Sequence, residues 1–375
     1  MKIAIDAHMV GEQETGNETY VVNLLRALAT QDDEHRYLVL TSHPDKLRQA
    51  VPLPPRFEVM RVWPAQSVFR VPIATPVAAW RGGADLLHMT TYITPPKATC
   101  PMVVTIHDLS FLEYPQAFSL RVRVMLRTLI PGSIARATRV IAVSEFTRQD
   151  VARRYGVSPE KIAVTPLAPA PGFFRLPQHE QLLPGGVREP YILAVGNLEP
   201  RKNLARLLDA FAMLVKDRGF TGVLVLVGQP ARNSNALRET AKVRGIESRV
   251  IFTGFVPQPE LNQLYNRAAM FVYPSLYEGF GLPPIEAMAC GCPVVASNLS
   301  ALPETTGGAA LLVDPHSTQE LAGAMGAILE RPELARDLQE RGRLRAASYS
   351  WATTAKRTLA AYEDAVARRP VPVVK

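Results

Sequence analysis

Thirteen short apolar runs, most of them separated by segments of helical period, constrain the fold of this 375-residue chain more than any other feature. In the first half they cover 2–8, 37–42, 57–62, 86–89, 102–108, 139–144 and 161–167. In the second half they cover 191–197, 222–228, 250–255, 270–275, 293–297 and 310–314. Strand-like runs of 4 to 8 residues alternating with helices predict α/β domains built on parallel sheets. The length suits two such domains. A Pro/Gly-rich stretch at 168–172, followed by Leu183-Pro184-Gly185-Gly186, has the composition of a connection between them. The expected division is 1–172 and 173–350. Open parallel sheets bind ligands beyond the carboxyl ends of their strands, so two such sheets facing one another would form a cleft lined by loops from both.

Composition narrows the function. The longest charge-free stretch, 287–303, is broken by Gly, Pro, Asn and Ser, so no membrane span is expected. Residues 1–6 read as a strand with an early acid and not as a secretory leader. Three cysteines, Cys100, Cys290 and Cys292, are too few for a disulfide framework and favour a reducing, cytoplasmic setting. Cys290-x-Cys292 has no further Cys or His nearby, so no metal is assigned. The formal charge of +8 fits phosphate-rich substrates, an anionic membrane surface or nucleic acid. No nucleic-acid module accompanies it. Arg121, Arg123, Arg127, Arg136 and Arg139 alternate with apolar residues from Leu120 to Ile130, a pattern that fits either anionic lipid or a solvated helix face.

The segment 270–291 carries the chemistry. Residues 270–275 read as a buried strand, 278–282 as a glycine-jointed loop, and Pro284 as the first position of a helix that Gly291 stops. Free N–H groups at a helix start favour a phosphate, while Glu278 and Glu286 can each accept two hydroxyl hydrogen bonds. Phosphate beside hydroxyls describes a nucleotide sugar. Another strand, 191–197, runs through Gly196 into Arg201-Lys202, after which Asn203 is expected to cap a helix bearing Leu204, Leu207, Leu208, Phe211, Leu214 and Val215. Two cations at that place suit a diphosphate, although such a pair is more often solvated. Thr105-Ile106-His107-Asp108 ends a buried strand with a histidine at the mouth of the first sheet. After the first strand, Gly16 fits close approach to phosphate, and the neighbouring Asn17 can adopt a left-handed turn.

Glu278-x7-Glu286, embedded in Gly279-Phe280-Gly281-Leu282-Pro283 and followed by Gly291-Cys292-Pro293-Val294-Val295, resembles the motif of the retaining glycosyltransferase family 4. Gly196-x4-Arg201-Lys202-Asn203, His107-Asp108 and Thr253-Gly254-Phe255-Val256 match in the same order. The resemblance implies the GT-B fold, two Rossmann-like doubly wound domains facing across a cleft, with a final helix (351–375) returning to the first domain. It implies a metal-independent, cofactor-free hexosyltransferase that acts on a nucleoside diphosphate sugar and a hydroxyl acceptor. Arg201 and Lys202 would neutralise the departing diphosphate, Glu278 hold sugar hydroxyls and His107 orient the sugar. Phe280, Gly281, Leu282 and Glu286 would bind donor, with Thr253 and Val256 lining the base pocket. The His107-Asp108-Leu109-Ser110-Phe111 stretch resembles the subgroup that assembles surface polysaccharide or lipid-linked glycans, with GDP-mannose the favoured donor. A UDP-sugar transferase and a GT-B epimerase are the alternatives. A dehydrogenase is disfavoured, since no Gly-x-Gly-x-x-Gly follows the first strand. The expected location is the cytoplasm, at the inner membrane face if residues 121–139 touch lipid.

Overall fold

A computed structural model describes residues 1–11, 16–177, 183–230 and 234–368. The chain forms two compact units, Met1–Leu167 with Ser350–Lys375, and Ala168–Tyr349. The first is built on β1 (Lys2–Asp6), β2 (Arg36–Thr41), β3 (Phe57–Arg61), β4 (Leu86–Met89), β5 (Met102–Ile106), β6 (Arg139–Ala142) and β7 (Ile162–Val164). These pair in parallel in the order β3-β2-β1-β4-β5-β6-β7. The second unit contains β8 (Tyr191–Val195), β9 (Val223–Val227), β10 (Val250–Gly254), β11 (Met270–Tyr273), β12 (Val294–Ser297) and β13 (Leu311–Val313). Their order is β10-β9-β8-β11-β12-β13, again parallel. In both sheets the strand order reverses beside the first strand, at β1/β4 and at β8/β11, and such a switch point opens a crevice at the carboxyl edge.

Central strands such as β9 (Val-Leu-Val-Leu-Val) are apolar on both faces because helices cover both sides. On one side of the second sheet, the helix Leu204–Arg218 buries Leu204, Leu207, Leu208, Phe211 and Leu214 against Ile192, Leu224, Leu226 and Val272. The helix Trp351–Ala367 packs in the first unit against the helix Gly16–Gln31. A buried chain of polar atoms anchors it: Tyr362 Oη lies 2.7 Å from His88 Nδ1, His88 Nε2 2.8 Å from Thr105 Oγ1, and Tyr20 Oη 3.1 Å from the same Thr105 oxygen. Burial pushes His88 down to about 3, so a neutral imidazole links the hydroxyls.

Several local expectations are corrected. The helix after the Glu278 loop begins at Leu282 and not at Pro284, because Gly281 with φ +97 turns the chain into it two residues earlier. Pro283 and Pro284 therefore occupy its first turn, where a missing N–H breaks no helix bond. Asn203 stands at the start of the helix Leu204–Arg218 without capping it. Its backbone is left-handed (φ 58), and its side-chain amide donates instead to Pro315 O at 2.7 Å. Asn17 makes no left-handed turn, since it is the second residue of the helix Gly16–Gln31. Residues 12–15, which precede that helix, lie outside the described residues. Arg139 belongs to β6 and pairs with Asp364 at 2.8 Å, so it is no part of a free cationic face. Among the described residues, no helix is long and apolar enough to cross a membrane.

Candidate active site

The second unit gathers its charged residues at the β8/β11 switch point. Beyond β8, Gly196 adopts φ +143, and a Cβ there would stand 3.3 Å from Lys202 Cε. Glycine thus leaves room for the lysine to fold back over the strand end. A turn of 3-10 helix at Pro200–Lys202 then presents Arg201 and Lys202. Beyond β11, the loop carrying Glu278 is tied to that turn by Leu276 N donating to Arg201 O (2.8 Å), with Ser275 Oγ 3.2 Å from the same carbonyl. Ser300 Oγ accepts from Glu278 N at 3.0 Å.

One carboxylate oxygen collects the cluster. Glu278 Oε1 accepts from Lys202 Nζ (2.6 Å), Ser275 Oγ (2.6 Å), Arg201 Nη1 (3.0 Å) and Tyr273 Oη (3.0 Å). Lys202 Nζ also donates to Tyr273 Oη at 2.5 Å and lies 4.8 Å from the centre of that ring. Glu199 neutralises the far side of Arg201, with Oε2 2.9 Å from Nε. Burial pushes Glu278 up, but Lys202 and Arg201 outweigh it and hold the carboxyl at about 2. Burial and Arg201 push Lys202 down against the pull of Glu278. Lys202 is only 8 % exposed, which separates this pair from ordinary solvated charges.

Glu286 behaves in the opposite way. It lies in the helix Leu282–Ala289, is 8 % exposed, and accepts a long hydrogen bond from Tyr265 Oη at 3.5 Å. Burial pushes it up to about 8, with Tyr265 opposing only in part. The site at neutral pH therefore holds one anionic and one protonated glutamate. Tyr273 feels both carboxylates, and burial first, then Glu278, drives its phenol well above the usual range. Of the amides at the helix start, Pro283 and Pro284 have none to give, so Gly281 and Leu282 supply the free N–H groups. A Cβ at Gly281 would also meet Leu302 Cδ2 at 2.6 Å, so that side chain would have to shift. Phe280 is buried, and its carbonyl accepts from Thr305 Oγ1 at 2.5 Å. Thr253 and buried Val256 flank Gly254 at the carboxyl end of the edge strand β10, two strands from β8. Thr253 Oγ1 donates to Gly254 O at 3.0 Å.

His107 and Gly16 belong to the first unit. His107 lies just past the β5 ladder and is buried, with Nε2 2.9 Å from Thr90 O. A carbonyl only accepts, so Nε2 carries the proton and Nδ1 is left as the acceptor nitrogen. Burial lowers the imidazole's pKa, which favours that neutral form. The Tyr20 ring meets it edge-on at 4.9 Å. Gly16 opens its helix with empty space where a Cβ would stand, so no contact there demands glycine. Tyr273 and Ser275 were missed by sequence reasoning. A tyrosine and a serine closing an otherwise apolar strand, just before the acidic loop, are the signal that could have found them.

Cations and a buried carboxylate at the switch point of a doubly wound unit make a site suited to an anionic, hydroxyl-bearing ligand. Comparison with known proteins names the class. Residues 15–168 match the model described as Glycosyltransferase Family 4, and residues 181–345 match Glycosyl transferases group 1. The O-antigen chain mannosyltransferase B of Escherichia coli is 34 % identical over 270 residues, covering 70 % of each chain. The MMP alpha-(1->4)-mannosyltransferase of Mycolicibacterium hassiacum is 32 % identical over 333 residues, covering 83 % of this chain and 79 % of that one. Sucrose-phosphate synthase of Thermosynechococcus elongatus superposes with a TM-score of 0.77 at 24 % identity, covering 98 % and 99 %. The chain belongs to glycosyltransferase family 4 and has the GT-B fold. It is a hexosyltransferase.

Proposed function

We propose that the chain transfers mannose from GDP-mannose, with retention, to a hydroxyl of a growing surface polysaccharide or lipid-linked glycan. The observation that carries the transferase site is the convergence of Arg201, Lys202, Tyr273 and Ser275 on Oε1 of Glu278. Four donors fix that oxygen, which leaves Oε2 to accept from sugar hydroxyls. The donor's sugar is inferred from the relatives, two of which are named mannosyltransferases.

In this reading Arg201 and Lys202 are held ready for the diphosphate, and the charge that builds on the leaving oxygen draws them away from Glu278. Breaking the sugar–phosphate bond puts negative charge on phosphate oxygen and positive character on the sugar, so stabilising the leaving group dominates the barrier. The Gly281 and Leu282 amides and the helix start add donors. Glu286 takes the ribose hydroxyls, and Thr253 and Val256 line the base. Gly16 approaches the phosphates. Neutral His107 accepts a sugar hydroxyl at Nδ1. The unit Ala168–Tyr349 serves as the donor domain and the unit Met1–Leu167 with Ser350–Lys375 as the acceptor-side domain, boundaries within a few residues of the expected 172/173 and 350/351. The enzyme works at the cytoplasmic membrane face, a position supported by exposed Leu120, Val124 and Leu129 among Arg121 and Arg127 on the helix Leu120–Arg136.

Thermal shifts with GDP, UDP and ADP, followed by a donor panel, test this. A ligand at about a hundred times its dissociation constant stabilises the fold by about 2.7 kcal/mol. A response to GDP, lost in Arg201→Ala/Lys202→Ala, with turnover of GDP-mannose is expected. Turnover of UDP-glucose alone would remove the mannose assignment.

A further inference from the structure

Nine of the fourteen large apolar side chains exposed among the described residues fall in two segments of the first unit. Three are on the helix Leu120–Arg136. The other six are Trp63, Val68, Phe69, Ile73, Val77 and Trp80. Their segment is helical from Ser67 to Arg81, with one π-helical turn at Arg70–Ala74. Its amphipathicity is inverted. The side facing the sheet buries small or modest residues, Val71, Thr75, Ala78 and Ala79, while the outer side presents Phe69 (55 % exposed), Ile73 (59 %), Val77 (38 %) and Trp80 (61 %). Spacings of four, four and three make those four a single stripe, and Trp63 at 78 % exposure stands before it. A contiguous stripe of large apolar groups on a water-facing helix marks a surface that something covers.

Charge decides what covers it. From Val59 to Ser144, leaving aside buried Arg70 and Arg139 with its partner Asp364, the chain carries Arg61, Arg81, Lys97, Arg121, Arg123, Arg127 and Arg136 against only Asp85, Asp108 and Glu113. No acid interrupts 59–84 or 114–144. Arg61 and Arg81 bracket the stripe and are exposed. Val71, Ala78 and Ala79 share one core with Leu126, Ile130 and Ile134, which puts both helices on the same face of the first sheet. A second copy of this chain docking on that face by two-fold symmetry would bring like charges together. Apolar and tryptophan side chains bordered by arginine match an anionic lipid bilayer, where tryptophan sits at headgroup level and cations meet the surface charge.

We propose that the Trp63–Trp80 surface inserts into an anionic bilayer and is the main seat of the enzyme on the membrane, with the Leu120–Arg136 helix as its flank. The proposal deepens the peripheral position inferred above and rests on it only for the choice of a membrane as partner. Trp351 is buried, so of the chain's three tryptophans Trp63 and Trp80 report contact by fluorescence. With the full chain, vesicles of phosphatidylglycerol and phosphatidylethanolamine should shift the emission to the blue and carry the protein down on sedimentation. Phosphatidylcholine vesicles should do so at least tenfold less. Phe69→Ser/Ile73→Ser/Trp80→Ser should weaken anionic-vesicle binding at least tenfold, and Leu120→Ser/Val124→Ser by less. Every replaced side chain is exposed, and an unchanged nucleotide-induced thermal shift certifies the fold. Trp63→Gln is the milder second variant and should lose part of the blue shift. Wild-type indifference to the vesicles, or a triple variant that binds them as tightly as wild type, overturns the proposal. So does a wild-type dimer in solution that the triple variant dissolves, since that assigns the stripe to a second copy. Transfer to a soluble acceptor reads the transferase separately: a variant that loses vesicles and keeps transfer leaves that reading intact.

Discussion

The loop that carries Glu278 and the helix that carries Glu286 place the same residue type at equal exposure, eight positions apart in one motif, and give it opposite charge states. Glu278 meets Lys202, Arg201, Ser275 and Tyr273 through one oxygen and is held at about 2. Glu286 has a distant phenol at 3.5 Å and is pushed up to about 8. Burial acts on both. The cations delivered by the turn after β8 reach only the first, so the desolvation cost is overcome in one region and stands in the other. Two glutamates matched by a motif are therefore not two equivalent carboxylates: one is a fixed anion, and the other titrates near neutrality.

The largest effect expected comes from removing the anion. Glu278→Ala leaves Lys202 buried beside Arg201 with only Glu199, on the far side of that arginine, as countercharge, and breaking a buried pair in this way costs about 3 to 5 kcal/mol of stability. Chemical denaturation checks it, and a loss below about 1 kcal/mol would show that the cations find other partners. Next in size, Lys202→Ala should slow transfer by about a hundred- to a thousandfold, the usual cost of losing one electrostatic stabiliser. The drop should appear in kcat, because the leaving-group charge it opposes develops only in the transition state. A change confined to KM would make Lys202 a binding residue alone.

Glu286→Gln sharpens the comparison through pH. A carboxyl with a folded pKa near 8 and an ordinary unfolded value near 4.5 binds more protons in the folded state between those pH values, so its contribution to stability is lost as pH rises from about 4.5 through 8. The Gln variant lacks that slope. Relative to wild type it should gain on the order of 2 to 4 kcal/mol between pH 5 and pH 9. Glu278 has the reverse sign, with stability present above about 4.5 and lost as pH falls through about 2. Melting curves of wild type and Glu286→Gln across this range decide the matter, and parallel profiles would mean Glu286 ionises normally. The smallest effect belongs to Tyr273→Phe. It removes one neutral donor from Oε1 and one acceptor from Lys202, worth about 1 kcal/mol of stability. If its transfer rate nevertheless fell more than tenfold, Tyr273 would be fixing the geometry of the Lys202–Glu278 pair and not merely satisfying it.

Much of this molecule was legible beforehand. All thirteen strands among the described residues lie within or against the expected runs, since a strand buried on both faces writes itself as a short apolar block. The family followed from words such as Glu278-Gly279-Phe280-Gly281-Leu282-Pro283 and Arg201-Lys202-Asn203, whose residue types the turns and charges demand. The errors are local and share a cause. Asn203 and Pro284 were placed by helix-start rules, but the ends of those helices were set by a bond to Pro315 and by the φ of Gly281. The arginine pattern at 121–139 was visible, whereas the stripe from Trp63 to Trp80 was not. A helix with apolar residues all round reads as core, and only exposure shows which side the sheet covers.

The sequence by itself determined the two parallel sheets, the residue types at their carboxyl edges and the family, because backbone period and side-chain chemistry are local properties. The tertiary structure decided that Arg201, Lys202, Tyr273 and Ser275 share a single oxygen of Glu278 and that Glu286 keeps its proton. Charge state depends on distances between atoms up to 77 residues apart in the chain, brought together where strand order reverses, and no spacing along a sequence encodes those distances.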